Sequence, residues 1–456
     1  MTTAAPGRDL DVREGCARDA SGLWMVPEAV ARPEDAAQVA MIVREAAASS
    51  THITPAGAQT STTGASITDR GILLSTRAMA RIVDVDRAGR VAVVEPGVVL
   101  GDLQRVLASE GLFFAPDPTS EQECTAGGAI ACNASGPRTL RHGPTRAHVR
   151  AVTVVLASGE AVRVARPQVE KNTVGYAFAQ DPVDWFVGSE GTLGVIVQAE
   201  LALLPRPVRE IGLAIPLPDE PAALAFVAAA RNATALAPRC LEYFDTESLA
   251  IARTGAGEPR WAAQSGAMVY AEQVTDGDDP PLDAWLALAE RFGARGDDVR
   301  TYEGEAALRE ARRLRHAVPA TMHERVAPFL KAGGRRISTD WAVPWRLAGE
   351  AVARSRQHAA DAGIPPAVTY GHLGNGHPHQ NWVARDPAEV QRVEAVVECT
   401  LRAVIGMGGT VAAEHGIGKV KSRWLSLQMS PLQVGAMRAL RRELDPSGLF
   451  APGNIL

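Results

Sequence analysis

Gly127-Gly128-Ala129-Ile130-Ala131-Cys132-Asn133-Ala134-Ser135-Gly136 and Gly188-Ser189-Glu190-Gly191-Thr192-Leu193-Gly194 decide how the first part of this chain is read. Each sets glycine among small or hydroxyl-bearing residues. Glycine permits positive φ and lets backbone approach closely. Successive exposed N–H groups then form a nest that accepts anionic oxygens. Pro55-Ala56-Gly57-Ala58-Gln59-Thr60-Ser61-Thr62-Thr63-Gly64 and Arg141-His142-Gly143 share the texture. One such loop alone reads as a tight turn. Several within one region point to a shared anionic ligand. No GxGxxG follows a strand, and GxxxxGK[ST], HExxH and GxSxG are missing. A Rossmann fold is therefore not supported, and a dinucleotide would have to be held another way.

Outward from these loops the pattern is of alternating short elements. Arg32-Pro33-Glu34-Asp35 opens an amphipathic helix through Val39, Ile42, Val43 and Ala46. Strands are expected at 71–74, 81–85, 91–95, 151–156, 161–164 and 194–203. Leu204-Pro205-Arg206-Pro207 marks a boundary, since two prolines interrupt any continuing element. Beyond it, strands at 211–217, 240–244 and 267–273 alternate with helices at 220–235 and 281–293. Longer helices are expected near 304–325, 346–362 and 387–405. This is an α+β pattern, with the helices expected on one face of the sheet. A Gly-rich loop, a helix near 431–444 and Asp445-Pro446-Ser447-Gly448 close the chain.

Composition narrows the classes. With 456 residues, 46% of them apolar, the chain is expected to form two or three globular domains. A net charge of -5 gives no nucleic-acid surface, and the arginine clusters near 309–315 and 438–442 read as solvated helix faces. No stretch approaches the ~20 apolar residues of a membrane helix. Cys16, Cys124, Cys132, Cys240 and Cys399 include no CxxC pair, which argues against a zinc ribbon or iron–sulfur cluster and suits a reducing compartment. A cytoplasmic location is the expectation, with peripheral contact at a membrane through an electron acceptor left open.

Two further stretches carry chemistry. Gly371-His372-Leu373-Gly374-Asn375-Gly376-His377-Pro378-His379-Gln380-Asn381 packs three imidazoles into eight residues, in a chain with ten His. Glu414-His415-Gly416-Ile417-Gly418 adds a carboxylate and a fourth imidazole. A His pair in a Gly-rich loop is often only a hydrogen-bonding device. Combined with the Glu-His doublet, it reads as a divalent-metal site with open positions. A neighbouring His would suit proton removal.

The order of these motifs, with Glu95-Pro96-Gly97 and Pro116-Asp117-Pro118 between them, resembles the flavoproteins of the vanillyl-alcohol oxidase superfamily, in the branch of D-lactate, glycolate and D-2-hydroxyglutarate dehydrogenases. The resemblance covers nearly the whole chain. It implies an α+β fold: a two-lobed FAD-binding domain of the vanillyl-alcohol oxidase type over 1–207, a ferredoxin-like α+β substrate domain over 208–410, and a C-terminal helical segment over 411–456 that returns to the FAD domain. It implies noncovalent FAD held by Ala56, Gly57, Ala58, Gln59, Thr60, Ser61 and Gly64. Pro118, Thr119, Gly128, Asn133, Ser135 and Gly136 would follow, and Glu190, Gly191, Gly194 and Ile196 would complete the pocket. Ala58 and Gln59 stand where the family often has glycine.

By the same resemblance, His372, His379 and Glu414 ligate a divalent metal, His415 is the base, and Asn381 orients substrate. Imidazole with carboxylate suits zinc, with manganese or iron admissible. Asn375 and His377 depart from the family's usual Asp and Asn, so His377 either joins the site or tunes specificity. A carboxylate substrate calls for an Arg fork; Arg315 is chosen first and Arg312 second. Ser338, at a position where the family sometimes has Lys, leaves the substrate unassigned. The implied reaction oxidises a 2-hydroxy acid to the 2-oxo acid by hydride transfer to FAD N5. An external acceptor (electron-transfer flavoprotein, quinone or cytochrome) would reoxidise the flavin. A homodimer is left open. The competing readings are an alcohol or alditol oxidase on the same fold and a non-catalytic flavin-binding subunit.

Overall fold

The computed structural model describes residues 5–277 and 279–456. They form two compact units. Unit 1 comprises residues up to Gly136, Gly143–Arg206 and Glu414–Leu456; unit 2 comprises Pro137–His142 and Pro207–Ala413.

Unit 1 has two larger sheets and a two-stranded antiparallel pairing of Leu112–Phe113 with Leu204–Pro205. β1 (Ala29–Ala31), β2 (Ile53–Ala56) and β3 (Ile72–Ser75) form a parallel sheet in the order β1-β3-β2. β4 (Ile82–Asp86), β5 (Val91–Val94), β6 (Val149–Val155), β7 (Ala161–Ala165) and β8 (Val195–Ala202) form an antiparallel one, ordered β4-β5-β8-β6-β7. Helix α1 (Ala36–Ala48) starts where the Asp35 carboxylate accepts the Gln38 amide at 2.8 Å. Its buried residues Val39, Ile42, Val43 and Ala46 recur at helical spacing. They share a core with Ile72 and Leu74 of β3 and with Val195 and Val197 of β8, so one helix seals both sheets together. The chain's end joins this core: Phe450 is fully buried, and the Asp445 carboxylate caps the amides of Leu449 and Phe450 at 2.8 and 2.9 Å. Among the further helices of unit 1 are α2 (Leu100–Ser109), α3 (Ala126–Cys132) and the C-terminal Pro431–Leu444, where the sequence places a helix.

Unit 2 begins with a ferredoxin-like βαββαβ run. In chain order it is β9 (Arg209–Leu217), α4 (Glu220–Asn232), β10 (Pro238–Phe244), β11 (Ala267–Thr275), α6 (Leu282–Arg291) and β12 (Arg300–Glu303), with α5 (Thr246–Gly255) between β10 and β11. Its four strands lie in the order β12-β9-β11-β10, all antiparallel. Past β10 the sheet is extended to seven strands by β14 (Val368–Gly371), β15 (His379–Ala384) and β13 (Arg335–Ser338). Helices α7 (Gly304–Val326), α8 (Ala348–Asp361) and α9 (Pro387–Gly406) complete the unit.

The helices of unit 2 do not keep to one face. Cys240, Phe244, Met268 and Tyr270 pack with α5 and α7 residues such as Leu249, Ala252, Leu314 and Val318. On the opposite side, Tyr243 donates its hydroxyl to Glu220 of α4 at 2.6 Å, and Arg356 of α8 pairs with the same carboxylate. The sequence of β11, Ala267–Thr275, shows why: its buried residues run without alternation from Ala267 to Val274. A strand of that kind needs cover on both sides.

Candidate active site

In unit 1 the Gly-rich loops are fastened to one another. A Cβ on Gly57 would collide with the Thr125 side chain, and one on Gly191 would lie 3.1 Å from Pro55. A Cβ on Gly136 would collide with the Asp117 carbonyl. Glu190 N–H donates to Ala131 O at 2.8 Å, and Gly188 N–H to Ile130 O at 3.0 Å. The loops after β2, around α3 and before β8 thus form one cradle. Gln59, at φ 58, occupies the left-handed region that glycine favours. Its side-chain amide holds that shape by donating to the carbonyls of Cys16, Arg18 and Ser66 at 2.8 to 3.2 Å. Asn133 is also left-handed at φ 54, and its Oδ1 accepts the Arg146 amide at 2.9 Å. Ile196 lies in β8 with its side chain in the core. Arg141 and His142, by contrast, belong to unit 2, where Arg141 donates to Ala237 O at 3.1 Å.

A dinucleotide fits this cradle on one observation. Thr125 Oγ1 is buried with no hydrogen-bond partner among the described residues, between Gly57 and Gly128, where side chains are lacking. A buried hydroxyl in that state asks for an acceptor or donor from a ligand.

The Glu414–Gly418 segment, also in unit 1, is gripped by the cradle. Glu190, at φ 49, turns its carboxylate to the amides of Ile417 and Gly418 at 2.5 and 2.6 Å. The Thr63 carbonyl accepts the amides of Lys419 and Val420 at 2.9 and 3.1 Å. Lys419 Nζ donates to Gly64 O at 3.1 Å and to Asn454 Oδ1 at 2.7 Å. Burial pushes the Lys419 ammonium down to about 8, against the pull of Asp19 and Glu190. His415 is partly exposed, 3.5 Å from the Glu414 carboxylate, and its carbonyl accepts from Thr63 Oγ1 at 3.4 Å.

In unit 2 the three imidazoles come together. His372 directly follows β14 and His379 begins β15; the turn between them is closed by Asn375 N–H and His377 N–H, both donating to His372 O, at 2.9 and 3.1 Å. Gly376, at φ 73, makes the turn possible, because any Cβ there would collide with Val343 O. Ring centroids of His372, His377 and His379 are 4.6 to 5.4 Å apart. Each ring offers a nitrogen within 4.8 Å of the others. Asn381 lies on the same strand face as His379, by the two-residue repeat of β15. Its Oδ1 accepts from Arg336 at 3.2 Å, while its Nδ2 is buried without a partner among the described residues.

Two buried carboxylates organise this cluster. Glu242 of β10 lies 2.6 Å from His372 Nδ1 and 2.8 Å from Arg315 Nε. His372 thus meets Glu242 through Nδ1, while its Nε2 lies 2.9 Å from Arg315 Nη2. Burial opposes charge on Glu242, but His372 and Arg315 outweigh it and hold its pKa below the usual carboxylate range. Asp340 Oδ1 lies 3.2 Å from His377 Nε2. Arg315 is therefore placed at the imidazoles. Arg312, one helical turn earlier on α7, pairs instead with Glu272 at 3.1 Å. Glu242 and Asp340 were not among the expected site residues. A charged residue in the otherwise apolar run Cys240–Phe244 was the available signal for the first. A divalent cation fits the donor set: three neutral-capable imidazoles, a carboxylate behind one of them, and His377 Nε2 buried without a hydrogen-bond partner among the described residues.

Comparison with known proteins identifies the family. The FAD binding domain family matches residues 27–165, and the FAD linked oxidases, C-terminal domain family matches residues 207–455. The chain is 31% identical over 440 residues to the glycolate oxidase subunit GlcD of Bacillus subtilis, covering 94% of this chain and 89% of that protein. It is 31% identical over 431 residues to a D-lactate dehydrogenase of Archaeoglobus fulgidus, covering 94% and 91%. A D-2-hydroxyglutarate dehydrogenase of Xanthomonas citri is 29% identical over 447 residues, covering 96% and 91%. Among solved structures, an alkyldihydroxyacetonephosphate synthase superposes with a TM-score of 0.71 at 15% identity, covering 98% of this chain and 82% of that one, a likeness of fold.

Proposed function

The chain belongs to the FAD-linked oxidases, and from that premise we propose that it oxidises a D-2-hydroxy acid to the 2-oxo acid. The named activities of its relatives support the substrate class. One observation within the chain carries the reading furthest: the Arg315 guanidinium stands 2.9 Å from His372 Nε2, beside two further imidazoles. That puts a carboxylate-binding fork next to a metal-ligand set, as a substrate with adjacent hydroxyl and carboxylate requires.

FAD, when bound, supplies the acceptor for the hydride leaving the α-carbon. A divalent metal, when bound, supplies Lewis acidity toward the substrate hydroxyl. The protein's own part is positional and electrostatic. Arg315 binds the substrate carboxylate, and Glu242 fixes the direction of its fork. The unpartnered Asn381 Nδ2 donates to a substrate oxygen. His415 takes the hydroxyl proton on a ring nitrogen. His372, His379 and Glu414 are the proposed metal ligands. Residues of the three Gly-rich loops, from Ala56 to Gly64, Pro118 to Gly136 and Glu190 to Ile196, are the proposed FAD contacts.

No described helix is long and apolar enough to cross a membrane. We place the enzyme in the cytoplasm, passing electrons to a separate acceptor; cell fractionation checks the first and acceptor-coupled turnover the second. The central test is an anaerobic titration of the purified flavoprotein with a panel of D- and L-2-hydroxy acids. Flavin bleaching by one D-acid, lost on metal removal and in His415→Ala, is the expected result. Bleaching by a polyol instead, unaffected by metal removal, would make the protein an alditol oxidase.

A further inference from the structure

His377 stands where the resembling family has an asparagine, and its surroundings give it a task. The ring is 4% exposed. Its Nε2 is 3.2 Å from Asp340 Oδ1 but off the line that a hydrogen bond needs, and it has no hydrogen-bond partner among the described residues. A buried imidazole in that state is costly unless something else engages it. The rings around it are not stacked on it. His372 is tilted by 48° and His379 by 68°, with centroids 5.4 and 4.6 Å away. Their nitrogens converge within 4.8 Å of one another.

The backbone is shaped to deliver this ring. Gly371 at φ 110 leaves room for His379, since a Cβ there would stand 2.6 Å from His379 Cδ2. Gly376 at φ 73 turns the chain back so that His377 N–H reaches His372 O at 3.1 Å. A five-residue closure thus sets residue 377 beside residue 372, both carried by the β14–β15 connection. Charge also balances: Arg315, which stands against His372, is paired with Glu242 at 2.8 Å, and the Asp340 carboxylate is buried 3.2 Å from His377 Nε2.

We infer that His377 is a third imidazole ligand, so that unit 2 alone presents a three-nitrogen metal site that prefers zinc, cobalt or nickel to manganese or magnesium. The inference rests on the metal-assisted reading above and specifies it. Three imidazoles favour metals late in the divalent series, whereas an amide oxygen at position 377 would favour harder ions. Asp340, 3.2 Å from His377 Nε2, adds a buried carboxylate charge beside the same nitrogen.

The test uses the full-length flavoprotein, stripped of metal and titrated with zinc ions and with manganese ions alone. Zinc affinity is read by competition with a chromophoric chelator, manganese by the electron-spin signal of the free ion. His377→Asn is expected to lose at least the about 10- to 100-fold in zinc affinity that removing even an outer partner of a ligand costs, while manganese affinity changes far less. Cobalt-loaded wild type and His377→Asn are expected to differ in their visible ligand-field bands. Flavin content and melting temperature confirm folding, and His377→Gln serves as a second variant. Equal zinc affinities and superimposable cobalt spectra overturn the inference. If His372→Ala and His379→Ala weaken zinc binding while His377→Asn does not, the third ligand fails and the metal-assisted reading stands. If the wild type binds no zinc, both fall.

Discussion

Glu190 holds Gly418. Its carboxylate accepts the Gly418 amide at 2.6 Å and the Ile417 amide at 2.5 Å, joining the loop before β8 to the segment that carries Glu414 and His415. Burial raises the pKa of this carboxylate, and the two amides with Lys421 and Lys419 work against that rise. The residue expected to touch the cofactor therefore also braces the proposed base. Glu190→Gln turns an amide donor toward backbone donors and loosens the segment. A fall in kcat of about 10- to 100-fold is expected, since small misplacements near the chemistry are costly, with FAD stoichiometry and KM little changed. Loss of FAD in parallel with kcat would make Glu190 a cofactor residue alone.

Gly418 itself gives a stability prediction. It sits at φ 51, and a Cβ would collide with the Thr63 carbonyl. Gly408 has a similar φ of 77 but nothing within 4 Å of its would-be Cβ. Gly408→Ala should cost about 1–2 kcal/mol from backbone strain. Gly418→Ala carries the same strain plus the collision and should lower the melting temperature further, with release of flavin. Equal melting temperatures for the two variants would count against the packing described for Thr63.

Arg315 and Arg312 separate substrate binding from stability. Both lie on α7, one turn apart, each facing a buried carboxylate, Glu242 or Glu272. Only Arg315 reaches the imidazole cluster. Arg315→Lys keeps the charge but loses the planar fork, so KM for the hydroxy acid should rise about tenfold or more. Arg312→Lys should leave KM unchanged. Steady-state kinetics of the two variants on the substrate identified by flavin bleaching decides between them.

Much of this was legible from residue order. The helix opened by Asp35, the strands of the antiparallel sheet of unit 1 and the three long helices of unit 2 follow from periodicity and punctuation. The strands that carry the cluster were not. β13, β14 and β15 are four to six residues long, and β15 begins at a histidine, so Gly371–Asn381 reads as a Gly-rich loop rather than two strand ends around a tight turn. Cover on both faces of the sheet was also hidden, because short buried strands show no alternation to reveal which side is wet. Glu242 was missed for a related reason: its partners Arg315 and His372 are distant in sequence, and only the sheet register and α7 bring them to it. In the first loop, Gln59 departs from the glycine pattern without disturbing the shape, because its side chain bonds to three carbonyls and so offsets its left-handed backbone.

Lys419 gives the pH dependence. Burial lowers its pKa from 10.5 to about 8 in the folded protein. Between those values the unfolded chain still holds the proton that the folded chain has released. Stability then rises with pH, because raising pH favours the state with fewer bound protons. Below about 8 the group is charged in both states, and its contribution no longer changes. Lys419→Met removes this dependence, along with the bonds to Gly64 O and Asn454 Oδ1. Denaturant unfolding at several pH values from neutral to mildly alkaline should show wild type gaining on Lys419→Met as pH increases. A difference that is flat, or that shrinks with pH, would mean that Lys419 keeps its proton in the folded cradle and that its ammonium is a permanent charge beside the proposed FAD loops.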